Sequence, residues 1–158
     1  MNADHFRNLY DYHFAMNRKL WDTYVVTLSD EQYTQEIPYS VGSIRNHVVH
    51  MANIDDRWFH GLRGLEPPGF VNAANHPSRE DTRAEWDRVE ADMRAYLEQL
   101  TDDDLDTNIA PDMDVWQVML HVVNHGTDHR AQLLAMLNTV FGIETNPQDY
   151  ALWLFGRL

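Results

Sequence analysis

The segment DVWQVMLHVVNHGTDHRAQLLAMLNTVFG, residues 114–142, carries a long helical pattern. Its apolar residues and two of its histidines return every three or four positions, as on one side of an α-helix; they are Val118, Met119, Val122, His125, His129, Leu133, Met136, Leu137 and Val140. Asp114 followed three positions later by Gln117 is typical of a helix start, and Gly142 of a helix end. The segment therefore predicts one long helix with histidines on its apolar face.

Three further stretches show the same helical spacing of apolar residues. They cover residues 6–28, 44–62 and 81–100. Ser43 precedes the second stretch as a good N-cap, and Gly61 and Gly64 end it. Ser78 and Asp81 open the third as a capping-box-like pair. No segment alternates convincingly with period two, so the sequence predicts an all-α fold.

Proline marks the connections between these helices. Six prolines fall between or after the helical stretches: Pro38, Pro67, Pro68, Pro77, Pro111 and Pro147. We expect residues 29–42 to form a turn of helix after Ser29 and then an extended stretch, and residues 63–78 to form a loop longer than the usual helix–helix link. Residues 150–158 form a short appendage. We predict a four-helix bundle with long crossover connections, built as one domain over residues 1–158.

Composition narrows the possible functions. Twelve Lys and Arg against 25 Asp and Glu give a formal charge of -13, which disfavours nucleic acid and anionic membranes as partners. No run of about 18 apolar residues occurs, and the acidic, aromatic residues 1–14 do not resemble a secretory signal, so we expect a cytoplasmic protein. The chain has no cysteine, so any metal ligand must be a nitrogen or oxygen atom.

The histidines form an unusual pattern. His121, His125 and His129 are four residues apart, so they stand nearly above one another on one face of the predicted helix. Imidazoles at this spacing can converge on one ion. His47 and His50 form a second inward-facing pair on another helix. The alternative interpretation is core histidines paired with protein groups, and spacing alone does not select three ligands from these five.

Three segments of the chain are similar to motifs of one known superfamily. They are Asn17 before the apolar run of the first helix, GSIRNHVVHMANIDDRWFHGLRG (42–64) and HVVNHGTDHRAQ (121–132). The last is the most specific, because it is similar to the pattern H-x-x-N-H-x-x-x-H-R-x-Q. On these motifs, nearly the whole chain resembles the DinB/YfiT-like superfamily of small metalloenzymes. The resemblance implies an up-down-down-up bundle that is often a homodimer.

The resemblance also implies a set of metal ligands. The family's first ligand lies seven residues after a helix-capping serine, which from Ser43 is His50, and the other two match His125 and His129. One departure from the family pattern is His47, an additional nearby histidine. We therefore expect His50, His125 and His129 to bind a divalent transition metal, with zinc or nickel as the first choices.

Three neutral imidazoles leave coordination positions open, which is typical of catalytic sites. A thiol or a water bound at such a position is ionised more easily. Because characterised relatives include enzymes that use a low-molecular-weight thiol, the resemblance favours a metal-dependent transferase that activates a thiol and acts on a small-molecule substrate. The alternatives are a metal-dependent hydrolase that uses a bound hydroxide and a non-enzymatic, stress-associated, metal-binding dimer.

Other polar residues lie near these motifs. Tyr10, His13 and Asn17 interrupt the apolar face of the first helix, and they either line a pocket or form a polar cluster at the helix end. Arg130 is expected to pair with a carboxylate at the edge of the core. Gly126 costs a helix about 1 kcal/mol and is expected to admit a neighbouring helix or ligand. Three acidic residues are interpreted as solvated helix surface or as bases near the site: Asp55, Asp56 and Asp128.

Overall fold

The computed structural model describes residues 1–76, 78–110 and 112–158, without the side chain of Ala110. Two of the prolines predicted to lie between helices, Pro77 and Pro111, are outside these residues. The described part of the chain contains six α-helices and one small antiparallel ribbon. They are α1 (Ala3–Thr23), α2 (Asp30–Thr34), α3 (Ile44–Leu62), α4 (Arg79–Gln99), β1 (Asn108–Ala110), β2 (Met113–Asp114), α5 (Val115–Phe141) and α6 (Tyr150–Leu154). The prediction of an all-α fold is thus confirmed in its main features.

The helix boundaries follow local capping chemistry. The side chain of Ser43 accepts a hydrogen bond from the backbone N–H of Asn46, and Ser78 accepts one from Asp81, both at 3.1 Å. These bonds satisfy backbone donors that the first turn of a helix leaves free. At the other end of α5, Gly142 has a positive φ of 68°, which glycine adopts without strain. The N-caps predicted at Ser43 and Ser78 and the helix end predicted at Gly142 are therefore confirmed.

Four long helices build the core. α3 packs against α4 and α5, and α1 packs against the same two helices. The buried apolar residues form two clusters, one centred on Tyr10, Phe14, Phe59, Met93 and Met119 and the other on Leu20, Trp21, Ile44, Trp86 and Leu133. Along α1 and α5, polar residues lie between the apolar residues that belong to the first cluster and those that belong to the second. The core is therefore interrupted by a polar layer at mid-height.

Two details differ from the sequence-based prediction. The first helix ends at Thr23, and Val25–Thr27 continue as a single 3-10 turn, although the apolar pattern runs on to Leu28. The ribbon formed by β1 and β2 was not predicted. Its strands have three and two residues, which is too short to show a period-two pattern. Both differences concern segments where tertiary packing outweighs local propensity.

The peripheral segments are attached to the four long helices through specific contacts. The aromatic rings of Tyr150 and Trp153 in α6 pack on Tyr12 of α1, with centroid distances of 5.0 and 5.9 Å. Asn53 of α3 accepts a hydrogen bond from the N–H of Val71, which attaches the loop before α4 to the helix surface. None of the described helices combines the length and the apolar character that a membrane span requires.

Candidate metal centre

Three histidines from two helices meet where α3 packs on α5. His50 comes from α3, and His125 and His129 come from successive turns of α5. The four-residue spacing places the rings of His125 and His129 4.4 Å apart between centroids. The ring of His50 lies 5.2 Å from that of His125 and 4.6 Å from that of His129. The structure therefore brings together the three residues that the resemblance implies as ligands.

The nitrogen atoms of this group lie close enough together to share one ion. The Nε2 atoms of His50 and His125 are 3.2 Å apart, and one nitrogen from each of the three rings lies within 4.8 Å of the others. Two nitrogens at about 2.1 Å from a tetrahedral zinc ion would be separated by about 3.4 Å. The three-histidine group, His50, His125 and His129, could therefore hold a metal ion.

Burial keeps these imidazoles in the neutral form that binds metals. Burial, assisted by the neighbouring His129, lowers the pKa of His50 to about 4 and the pKa of His125 to about 3. Burial also lowers the pKa of His129. The Nδ1 atoms of His125 and His129 are buried, with no hydrogen-bond partner in the described part of the chain. Buried polar atoms without partners are costly, so core packing alone does not explain these rings.

The three-histidine group is partly accessible from solvent. His50 and His125 are half-buried, whereas His129 is only 8% exposed. The group supplies three nitrogen donors and no carboxylate, so a divalent ion held there would keep its charge and at least one open position. Such an arrangement can bind and ionise a small polar molecule. A closed structural site would instead need a fourth protein ligand.

The other two histidines of the predicted pattern lie outside the group. His47 is fully buried, and its Nδ1 lies 3.1 Å from the carbonyl oxygen of Ser43, to which it donates. His121 is exposed, and its ring packs on Trp58 with centroids 5.1 Å apart. Of the two histidines on α3, the structure places His50 in the group and leaves His47 beside it, with a ring-centroid distance of 5.9 Å to His129.

A buried polar layer adjoins the three-histidine group. We define it as His13 and Asn17 of α1, Asp55 of α3 and Arg130 of α5, all of them buried. Arg130 donates to Asn17 Oδ1 at 2.8 Å and to His13 Nδ1 at 3.3 Å. The Nε2 atom of His13 lies 3.1 Å from Asp55 Oδ2. His13 and Asn17 of the first helix therefore belong to a buried polar network rather than a helix-end cluster, and Asn17 and Asp55 of this network also line a small cavity between α1, α3 and α4.

Some expectations about charged residues are corrected by these contacts. Among the described residues, Arg130 pairs with no carboxylate; its other partners are Thr127 Oγ1 at 3.1 Å and Gln148 Oε1 at 2.8 Å. Asp55 and Asp56 are buried rather than solvated, whereas Asp128 is exposed.

Sequence reasoning missed two partners of this layer, Thr127 and Gln148. Gln148 lies in the irregular segment between α5 and α6, where no periodic pattern marked it. Its backbone carbonyl also accepts a hydrogen bond from the hydroxyl of Tyr12, at 2.7 Å. No local signal in the sequence could have identified Gln148, because its role depends on where the segment crosses α1 and α5.

The sequence profile of the DinB family matches residues 1–155. Among curated proteins, the one named Protein DinB from Bacillus subtilis (strain 168) is 28% identical over 161 residues, an alignment that covers 93% of this chain and 92% of that protein. The match extends over all four long helices and so includes the three-histidine group. These findings confirm the resemblance that the motifs suggested: the chain belongs to the DinB family.

Proposed function

We propose that the three-histidine group holds one divalent transition metal and that the protein is a metal-dependent enzyme. The observation that carries this proposal is the 3.2 Å approach of the Nε2 atoms of His50 and His125 across two helices. Because all donors are imidazoles, zinc, nickel, copper and iron are all acceptable ions. We take zinc or nickel as the first choices.

We further propose thiol-dependent transferase chemistry on a small-molecule substrate. A divalent ion held by neutral ligands lowers the pKa of a thiol or water that binds to it and so supplies a nucleophile at neutral pH. The chain contributes three uncharged donors that do not neutralise the ion, and it leaves one side of the group accessible. The family resemblance favours a low-molecular-weight thiol over water as the activated molecule.

The metal site is tested by elemental analysis of untagged protein prepared without chelator. We expect about one transition metal per chain, and its loss in His50→Ala, His125→Ala and His129→Ala. His76→Ala is the matched control, because His76 lies in the loop before α4, outside the three-histidine group. If the wild type binds no metal even after reconstitution, the proposal is wrong and the three histidines are ordinary core residues. Retention of metal by His50→Ala alone would make His47 the third ligand.

The chemistry is tested with the metal-loaded protein and two probe reactions. Glutathione with 1-chloro-2,4-dinitrobenzene reports thiol transfer, and 4-nitrophenyl acetate without thiol reports hydrolysis. We expect turnover that requires the thiol and is abolished by His125→Ala. In addition, glutathione should produce a thiolate-to-metal charge-transfer band with the cobalt-loaded protein. Turnover of the ester without thiol would favour the hydrolase. Absence of both reactions, with no spectral response to thiol, would leave a metal-binding protein that is not an enzyme.

The proposal includes an architecture and an assembly. We propose that residues 1–158 form one domain, an up-down-down-up four-helix bundle, and that two copies form a homodimer. The packing of α1 and α3 against the same two helices supports the bundle. Leu154 and Phe155 at the end of α6 are 58% and 69% exposed, which supports an apolar contact between copies. Sedimentation velocity should give twice the chain mass of 18.5 kDa, and a monomer at micromolar concentration would contradict the dimer.

A further inference from the structure

One side chain of α1 connects the two helices that carry the three-histidine group. His13 is fully buried. Its Nε2 contacts Asp55 on α3 at 3.1 Å, and its Nδ1 contacts Arg130 on α5 at 3.3 Å. Asp55 lies five residues after His50, and Arg130 directly follows His129. His13 therefore links the helix of one candidate ligand with the helix of the other two.

Buried partners engage both ring nitrogens of His13. A guanidinium group can only donate hydrogen bonds, so the Nδ1 of His13 accepts from Arg130. Its Nε2 faces two groups, the Asp55 carboxylate at 3.1 Å and the amide nitrogen of Asn17 at 3.2 Å. The ring thus lies between a buried cation and a buried anion, and Asn17 contacts both the ring and the cation, with its Oδ1 2.8 Å from Arg130 Nη1. Contacts at both ring nitrogens restrict the rotation of the ring, which makes His13 a rigid connection.

The sequence of α5 is adapted to this ring. A Cβ atom on Gly126 would lie 2.5 Å from the Cε1 atom of His13, 2.9 Å from its Nδ1 and 3.0 Å from Arg130 Nη1. Any other residue at this position would therefore push the ring or the helix away. Glycine in the middle of a helix lowers helix stability relative to alanine, and it stands here between His125 and His129. The space that it leaves is filled by His13.

We propose that His13, seated against Gly126, is a positioning residue of the metal centre. By connecting Asp55 to Arg130, it sets the separation and register of α3 and α5, and thereby the approach of His50 to His125. This inference rests on the proposed function, because it presupposes that the three-histidine group binds a metal. Residues that hold metal ligands in place without touching the ion change metal affinity by about 10- to 100-fold when they are replaced.

The test compares two glycine-to-alanine substitutions in the full chain. Gly126→Ala introduces the Cβ that meets His13. Gly61→Ala, near the end of α3, introduces a Cβ with nothing within 4 Å. The Kd for Co²⁺ is measured by competition with a chelator, and the visible absorption spectrum of the bound ion reports the geometry of its ligands. We expect Gly126→Ala to raise the Kd by about tenfold or more and to shift the spectrum, and Gly61→Ala to change neither.

A double-mutant cycle shows whether the effect passes through the ring of His13. We expect His13→Ala combined with Gly126→Ala to raise the Kd by less than the product of the two single effects, because both changes act on the same contact. Circular dichroism of the apoprotein confirms that each variant is folded at the temperature of the titration. His13→Gln, which keeps an amide donor for Asp55, replaces His13→Ala in the cycle if the alanine variant does not fold.

The outcomes separate this inference from the proposed function. If the wild type binds no Co²⁺, both fail. If the wild type binds Co²⁺ and folded Gly126→Ala binds it with the same Kd and the same spectrum, the positioning role is overturned while the metal site stands. The positioning role would also be overturned if the increases in Kd of the two single variants multiply to the increase of the double variant. The two substitutions would then act independently, and the effect of Gly126→Ala would not pass through His13.

Discussion

Arg130→Met tests the energetic role of the buried polar layer. The substitution keeps a long, flexible side chain and removes the guanidinium group. Arg130 is fully buried, and it donates hydrogen bonds to Asn17 and Gln148 at 2.8 Å, to Thr127 at 3.1 Å and to His13 at 3.3 Å. We expect the apoprotein to lose about 3–5 kcal/mol of unfolding free energy, the loss typical when one member of a buried charged network is removed.

The magnitude follows from opposing contributions. Hydrogen bonds from a charged donor contribute about 1.5–3 kcal/mol each, including the cost of leaving the acceptor unpaired, so the four bonds of Arg130 contribute at most roughly 6–12 kcal/mol. Removing the guanidinium also removes its desolvation penalty, which is several kcal/mol for a buried ion. Subtracting a penalty of about 4–6 kcal/mol from the middle of this range, about 9 kcal/mol, leaves a net loss of about 3–5 kcal/mol.

The assay is urea unfolding of the apoprotein in the presence of a chelator, followed by circular dichroism. A lower midpoint with an unchanged slope measures the loss of stability. Arg83→Met is the matched control, because Arg83 pairs with Asp22 and Asp87, whose side chains are 65% and 54% exposed. Exposed ion pairs contribute at most about 1 kcal/mol. A loss below about 1 kcal/mol for Arg130→Met, or one no larger than that of Arg83→Met, would refute the reasoning.

Three further predictions concern the metal, a buried hydroxyl and a buried ion pair. Chelation should lower the melting temperature of the metal-loaded protein, because a ligand present at 1,000 times its Kd adds about 4 kcal/mol of stability; an unchanged melting temperature would contradict metal binding to the folded state. Tyr10→Phe should cost about 1 kcal/mol in urea unfolding, because the buried hydroxyl donates to the carbonyl of Met119 at 3.0 Å. Burial raises the pKa of Glu90, but hydrogen bonds from Arg18 and Arg94 outweigh burial and lower it. A lowered carboxyl pKa stabilises the folded protein above the unfolded-state pKa, and this contribution disappears as the pH falls through the folded-state pKa. The stability difference between wild type and Glu90→Gln should therefore shrink as the pH falls from about 6 to about 3, and a difference that grows would contradict this sign.

The helices could be predicted from sequence because their signals are local. Apolar spacing shows which side of each helix faces the core, and the serines at 43 and 78 satisfy backbone donors within three residues of themselves. The position of His125 and His129 on one face of α5 could be predicted for the same reason, since a separation of four residues is nearly one turn. The ribbon formed by β1 and β2 escaped prediction because strands of three and two residues are too short to show a periodic pattern.

Local sequence did not determine which histidine of α3 joins His125 and His129. The periodic pattern allowed either His47 or His50, and the choice of His50 came from the resemblance to a family. In the folded protein, His50 and His125 meet across 75 residues of chain. Their approach depends on how α3 is rotated and shifted along α5, which is decided by the side chains packed on all of the neighbouring helices.

The sequence by itself determined the helical class, the main helix boundaries and a histidine-bearing face on α5, because each of these follows from interactions within a few residues. Only the tertiary structure decided which histidines meet, and only it revealed the buried polar layer, in which His13 and Arg130 lie 117 residues apart. Buried polar groups must find partners wherever the packed helices bring them. Their pairing is therefore a property of the whole core, and no short segment of the sequence contains it.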